Sequence, residues 1–208
     1  MSGLLTVFQI LAAIGVGFSQ HNVMRDSIAG VSITWLSFWL LFLLTNLAIA
    51  VSAVRVFPSR TAKQTVVIYA VWSVVIASIL LDLLFLGGQW KWLDSLTATL
   101  TLSGVCLSII WAKVRGIPIS DPFVLASFAV FFKGIPQITL AWLIFQEGGD
   151  GLSSYAVLFG HAIIGLRLFQ ITLSIREAGW DNNRRCIFVG EAANGLSWLV
   201  ATLVWLLV

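Results

Sequence analysis

Runs of about twenty apolar residues constrain this chain more than any other feature. A bilayer core about 30 Å thick asks for roughly 20 such residues per helix. Seven runs of about that length can be read, at 3–22, 30–54, 65–86, 93–112, 122–146, 153–174 and 186–207. A lipid-exposed backbone must satisfy its own hydrogen bonds, so each run is expected to be a helix. Composition agrees. Of the 208 residues, 59% are hydrophobic and 10% charged, too little charge to cover a soluble domain of this size. The sequence predicts an all-α integral membrane protein of seven transmembrane helices, with the lipid bilayer as its surroundings and no soluble domain left over.

The expected breaks are "FPSR" at 57–60, "LGGQ" at 86–89, "RGIPISDP" at 115–122, "EGGDG" at 147–151 and "GWDNNRR" at 179–185, all rich in turn formers or charge. Pro118 and Pro122 close one helix and open the next. The first run has no basic residue before it and no small-residue cleavage site after it, so it reads as a retained helix. Connections after helices 2, 4 and 6 hold Arg55, Arg60, Lys63, Lys113, Arg115, Arg176, Arg184 and Arg185; those after helices 1, 3 and 5 hold Arg25 and Lys91. That bias predicts a cytoplasmic N-terminus and an outer C-terminus. Trp90, Trp92, Trp111 and Trp180 fall at span ends, where indoles anchor to the interface. The net charge of +3 is small and scattered, which argues against a nucleic-acid partner. Cys106 and Cys186 lack CxxC spacing and read as small packing residues. No metal or other cofactor is expected.

The chain also says one thing twice. "GFSQ" at 17–20 is followed by "GVS" at 30–32, and "GIPQ" at 134–137 by "GLS" at 151–153, each before a further apolar run. Aligning the two copies matches helices 1–3 to helices 5–7 and leaves helix 4 as a connector. The extra helix gives both halves the same orientation, a parallel repeat of the kind found in transporters, with the solute site at the repeat interface. The expected organisation is a first three-helix bundle at 1–90, a connector at 91–115 and a second bundle at 116–208.

Gly-x-Pro-Gln, a loop, then Gly-(Val/Leu)-Ser opening the next helix, in a three-one-three layout, resembles the PQ-loop and SWEET-type transporters. The resemblance implies a pathway between two three-helix bundles that rock about the Pro-Gln kinks to give alternating access. It makes Gly134, Pro136 and Gln137 hinge candidates, with Gly17, Ser19 and Gln20 in the first half, where serine replaces proline. Physical chemistry fits: Pro136 removes a helical hydrogen bond and eases a bend, and Gly134 is expected to let a neighbouring helix approach.

Ionisable groups in lipid are expensive and have a task or a partner. Asp82, Lys133, His161, Arg167 and Glu191 qualify. Arg167 and Glu191 both lie roughly 8–10 Å from the same side at about 1.5 Å per residue, so they are expected to form an ion pair, with a substrate or gating role second. Lys133 falls near the midplane, one turn before Gln137 on the same face. It either reaches Glu191 or faces a watery cavity. Asp82 is near enough to its helix end to snorkel to the outer interface, and His161 either carries protons or packs through a hydrogen bond.

Glu191, Asn194 and Trp198 share one face of helix 7, where an amide and an indole suit a polar small molecule. SWEET-type sites likewise pair asparagine and tryptophan on the third helix of each bundle. The third helix here offers Trp72, Ser73 and Ser78 but no asparagine. Trp35, Trp39, Phe42 and Asn46 form a stripe on helix 2, read as packing or as part of the site. Small and hydroxylated residues in helix 4 suit close packing.

The leading expectation is a solute carrier for a small polar molecule such as a sugar, amino acid or vitamin, with proton coupling through Glu191 or His161. A seven-helix sorting receptor for peptide carboxylates, held by Lys133 and Arg167, is the alternative. A channel is a further alternative, without the usual ring of glycines or repeated acidic residues. Retinal binding would need a lysine on the seventh helix. No enzyme motif is present. Two bundles in one chain suffice for one pathway, so a monomer could function.

Overall fold

A computed structural model of the chain describes residues 2–56, 60–178, 180 and 182–208. The breaks expected at 57–59, 179 and 181, and the side chains of Arg60, Arg184 and Cys186, lie outside the described residues. Among the described residues seven helices follow in order: α1 Ser2–Asp26, α2 Ile33–Val56, α3 Arg60–Phe85, α4 Trp92–Val114, α5 Pro122–Glu147, α6 Ser154–Ala178 and α7 Asn182–Leu207. No strand occurs among the described residues. Within α1, α3, α4, α5 and α7 the segments Gly3–Asp26, Lys63–Phe85, Trp92–Val114, Phe123–Glu147 and Phe188–Leu207 are long and apolar enough to cross a membrane, while the described apolar parts of α2 and α6 are shorter. The chain is an all-α, multi-pass integral membrane protein. Its outward-facing apolar side chains, such as Leu4, Phe18, Val74, Phe85 and Leu107, would be costly in water and suit lipid. Trp90, Trp92, Trp111 and Trp180 are exposed at or near helix ends.

Local chemistry explains the ends. Ser32 and Ser153 stand just before α2 and α6, and each hydroxyl accepts the N3 backbone N–H, from Trp35 at 3.1 Å and Ala156 at 3.3 Å. Both are N-caps. Asp121 caps α5 by accepting from Phe123 N at 2.8 Å, with Pro122 at the first helical position.

The packing has a regular pattern. Helix α3 lies between α1 and α2, which do not pack on each other among the described residues, and α7 lies in the same way between α5 and α6. The two sets meet where α2 packs on α5 and α1 on α6, while α4 leans on α5 and barely touches α2. One main core runs through α1, α2, α3, α5, α6 and α7, centred on Leu36, Ile76, Leu140 and Ile144. A smaller cluster of Ala112, Val124 and Phe128 seats α4 against α5.

At one end the α1–α2 and α5–α6 connections interlock. Gly151 N donates to Ala29 O at 3.0 Å. Gly30 has φ +74, and a Cβ there would stand 2.4 Å from Gly148 O, so the residue must be glycine for both conformation and space. Lys91 ties the α3–α4 connection to Glu147 at the end of α5.

Candidate functional site

A cavity of about 80 Å³ lies among α1, α2, α3, α5, α6 and α7. Helix α2 supplies Trp35, Trp39, Phe42 and Leu43, and α6 supplies Gly160, Ile163, Ile164 and Arg167. Trp39, Phe42 and Leu43 correspond to Gly160, Ile163 and Ile164 at the spacing that relates Gly30 to Gly151 and Ser32 to Ser153. Helix α3 adds Tyr69 and Trp72, α5 adds Lys133 and Gln137, and α7 adds Glu191, Asn194 and Trp198.

Four indoles form a continuous wall. Trp198 stacks on Trp35 with ring centres 5.8 Å apart and planes 8° from parallel. Trp35 meets Trp39 at 5.3 Å, and Trp39 meets Trp72 at 6.0 Å. The ammonium of Lys133 lies 3.9 Å from the Trp39 ring centre, a cation–π contact in a place sheltered from water. A Cβ on Gly160 would stand 2.7 Å from the indole nitrogen of Trp198. The missing side chain at Gly160 is thus what admits Trp198.

A polar floor lies beside this wall. Arg167 Nε is 3.8 Å from Glu191 Oε1, and the guanidinium also hydrogen-bonds the Tyr69 hydroxyl. Asn194 donates to Glu191 at 3.3 Å. The side-chain amide of Gln137 lies 3.0 Å from the Asn194 side chain and 2.5 Å from the Ser197 hydroxyl. Glu191 is the only carboxylate on the cavity wall among the described residues. Three buried groups on the wall have polar atoms without a hydrogen-bond partner among the described residues: both amide atoms of Gln9 and the indole nitrogens of Trp35 and Trp198. Buried polar groups are nearly always paired, so such a cluster suits a polar ligand. A more open cleft of about 420 Å³ at Thr6, Lys63, Gln64 and Val67 has no such cluster.

The structure corrects some sequence expectations and decides between the open readings of others. Asn46 does not line the cavity; its amide donates back to Phe42 O at 2.9 Å. His161 lies off the wall and hydrogen-bonds Thr202 at 2.9 Å. Asp82, partly exposed near the end of α3, pairs with His21, because the ends of α1 and α3 lie side by side. Lys133 forms no ion pair with Glu191 within 4.0 Å among the described residues and lies at the cavity instead. Gly134 admits no neighbouring helix, since a Cβ there would meet only Val130 of its own helix at 3.9 Å. The close approach is at Gly17, where a Cβ would stand 2.9 Å from Val75.

The two glutamines of the repeated motif do different things. Gln20 is buried and crosses to the other set of helices, donating to Gly151 O at 2.5 Å and accepting from Ser153 N at 3.1 Å. Ser19 beside it hydrogen-bonds Ser153. Gln137 turns inward to Asn194, and α5 runs unbroken through Pro136. Sequence reasoning passed over Gln9, Tyr69 and Asp94. A lone amide inside an apolar run was the available signal for Gln9. Against family models, curated proteins and solved structures, the chain finds no match.

Proposed function

We propose that this chain is a membrane transporter that carries a small polar solute through the central cavity by alternating access. In this reading α1–α3 and α5–α7 are two parallel three-helix bundles, α4 is the connector, and all seven helices span the bilayer. The observation that carries it is the cavity itself, which lies where the two sets of helices meet and is lined by α2 and α6 at corresponding positions. The packing supports it too, because exchanging α1, α2 and α3 for α5, α6 and α7 reproduces the same neighbours among those six helices. Transporters built from repeats bind their solutes at such a junction.

With the N-terminus cytoplasmic, the interlocked connections at Gly30 and Gly151 close the outer end. Solute passage then requires Gln20 and Ser19 to release Ser153, with bending near Pro136 on the other side. Glu191 is the proton-coupling candidate, as the carboxylate on the wall.

Counterflow into liposomes loaded with sugars, amino acids, vitamins or small organic acids tests the proposal. One class should exchange with the wild type and fail with Trp198→Ala or Asn194→Ala. Failure of every class would overturn transport. The unpaired ammonium of Lys133 favours a second reading, a receptor for a peptide carboxylate. Saturable peptide binding without counterflow would select it.

A further inference from the structure

The charges and donors around the cavity discriminate among polar solutes. Two cationic side chains, Lys133 and Arg167, face one carboxylate, Glu191. Arg167 is taken up by Glu191 and Tyr69, and Glu191 also accepts from Asn194. Lys133 is 4% exposed, and its ammonium has no hydrogen-bond or ion-pair partner among the described residues, only the faces of Trp39 and Phe42. With Lys133 protonated, one positive charge is left over in a low-dielectric place, where an isolated ion is costly. A neutral sugar or a zwitterionic amino acid would leave that charge unbalanced. A monoanion cancels it.

The neutral groups point the same way. The indole nitrogens of Trp35 and Trp198 can only donate, and neither has an acceptor. Gln9, 1% exposed, adds a further donor and one acceptor, both unpartnered. The wall therefore asks for a ligand rich in acceptors.

Taking the cavity to be the solute site, we propose that its solute is a small monocarboxylate, with Lys133 holding the carboxylate and Trp35, Trp198 and Gln9 serving the remaining acceptors. A charged hydrogen bond of this kind corresponds to about 10- to 100-fold in affinity.

Calorimetric titration of the purified full-length protein with L-lactate, lactamide, L-alanine and D-glucose tests it. Lactate should bind saturably. Lactamide, nearly the same shape without the charge, should bind at least about tenfold more weakly, as should alanine and glucose. Lys133→Met should lose lactate binding by a similar factor, and Lys133→Arg should retain it. The comparison of lactate with lactamide uses only wild-type protein, so it stands even where a variant misfolds. Equal binding of lactate and any of the other three, or unchanged lactate binding in folded Lys133→Met, would overturn the carboxylate inference. Trp198→Ala separates the two layers: if it abolishes binding of a neutral solute, the cavity remains the solute site and only its charge preference is wrong. Binding of none of the four overturns the inference alone, because the counterflow panel tests the cavity with other solutes.

Discussion

Replacing Asp94 by asparagine should destabilise the protein well beyond what an isosteric surface change would do. Asp94 is 3% exposed and sits in the first turn of α4. Its Oδ1 accepts from Ser32 Oγ at 2.9 Å, Thr34 N at 3.1 Å and Thr34 Oγ1 at 2.8 Å, and its Oδ2 accepts from Lys91 N at 2.9 Å. One carboxylate thus serves the start of its own helix and, across the fold, the start of α2. With asparagine, three charge-assisted bonds become neutral, each losing about 1 kcal/mol, and an amide NH₂ faces the Lys91 N–H, losing about 1 kcal/mol more. Neighbouring losses overlap, so about 3 kcal/mol is a reasonable total. For a chain of this size each kcal/mol moves Tm by about 2–4 °C, giving a fall of about 6–12 °C. Thermal unfolding of the detergent-purified protein measures it. Asp121→Asn is the control, because its cap faces solvent and asparagine caps as well as aspartate. A Tm for Asp94→Asn within about 2 °C of the wild type, or no lower than that of Asp121→Asn, would refute the reasoning.

Three further outcomes are expected. Gly30→Ala and Gly87→Ala both force a side chain into positive φ, but only at Gly30 does the new Cβ meet backbone, the oxygen of Gly148 at 2.4 Å, with open space at Gly87. Gly87→Ala should therefore cost about 1–2 kcal/mol from strain and Gly30→Ala clearly more, read as melting midpoints measured side by side. Trp35→Phe removes a buried donor without an acceptor, which the proposed solute would use, so it should weaken lactate binding in calorimetry; unchanged binding would count against that indole as part of the site. Glu191→Gln leaves Arg167 without its carboxylate and should cost about 3–5 kcal/mol. Adding Arg167→Met should recover much of that loss, and a double variant no better than Glu191→Gln would deny the pair.

The helices were legible because length and apolarity leave a lipid-exposed backbone no other choice, and each expected span lies within a few residues of a helix. The Arg167–Glu191 pair could be read too, since two ionisable residues about equally far from the facing ends of consecutive helices have few other partners. Lys133, Gln137, Asn194 and Trp198 meet at the cavity, as helical spacing allowed. Other features were hidden for physical reasons. Gln9 and Tyr69 carry no charge, so a search for ions in lipid passes them by, and their roles depend on helices far away in sequence. Asp94 sits at a helix end, where acidic residues are common, and only the fold reveals that Ser32 and Thr34 stand opposite. Asn46 satisfies its amide on its own helix, which a stripe of residue types could not reveal.

The stacking of Trp35 on Trp198 has an optical consequence. Their nearly parallel indoles belong to α2 and α7, helices from different halves of the chain. Transition dipoles of like chromophores held this close mix, and the mixed excited states give paired bands of opposite sign in ultraviolet circular dichroism. That coupling falls steeply with separation and changes sign with the twist between the rings. A motion that slides α2 past α7 would therefore alter the spectrum of the unlabelled protein. The molecule's own chromophores can report, in real time, any change in how α2 and α7 meet.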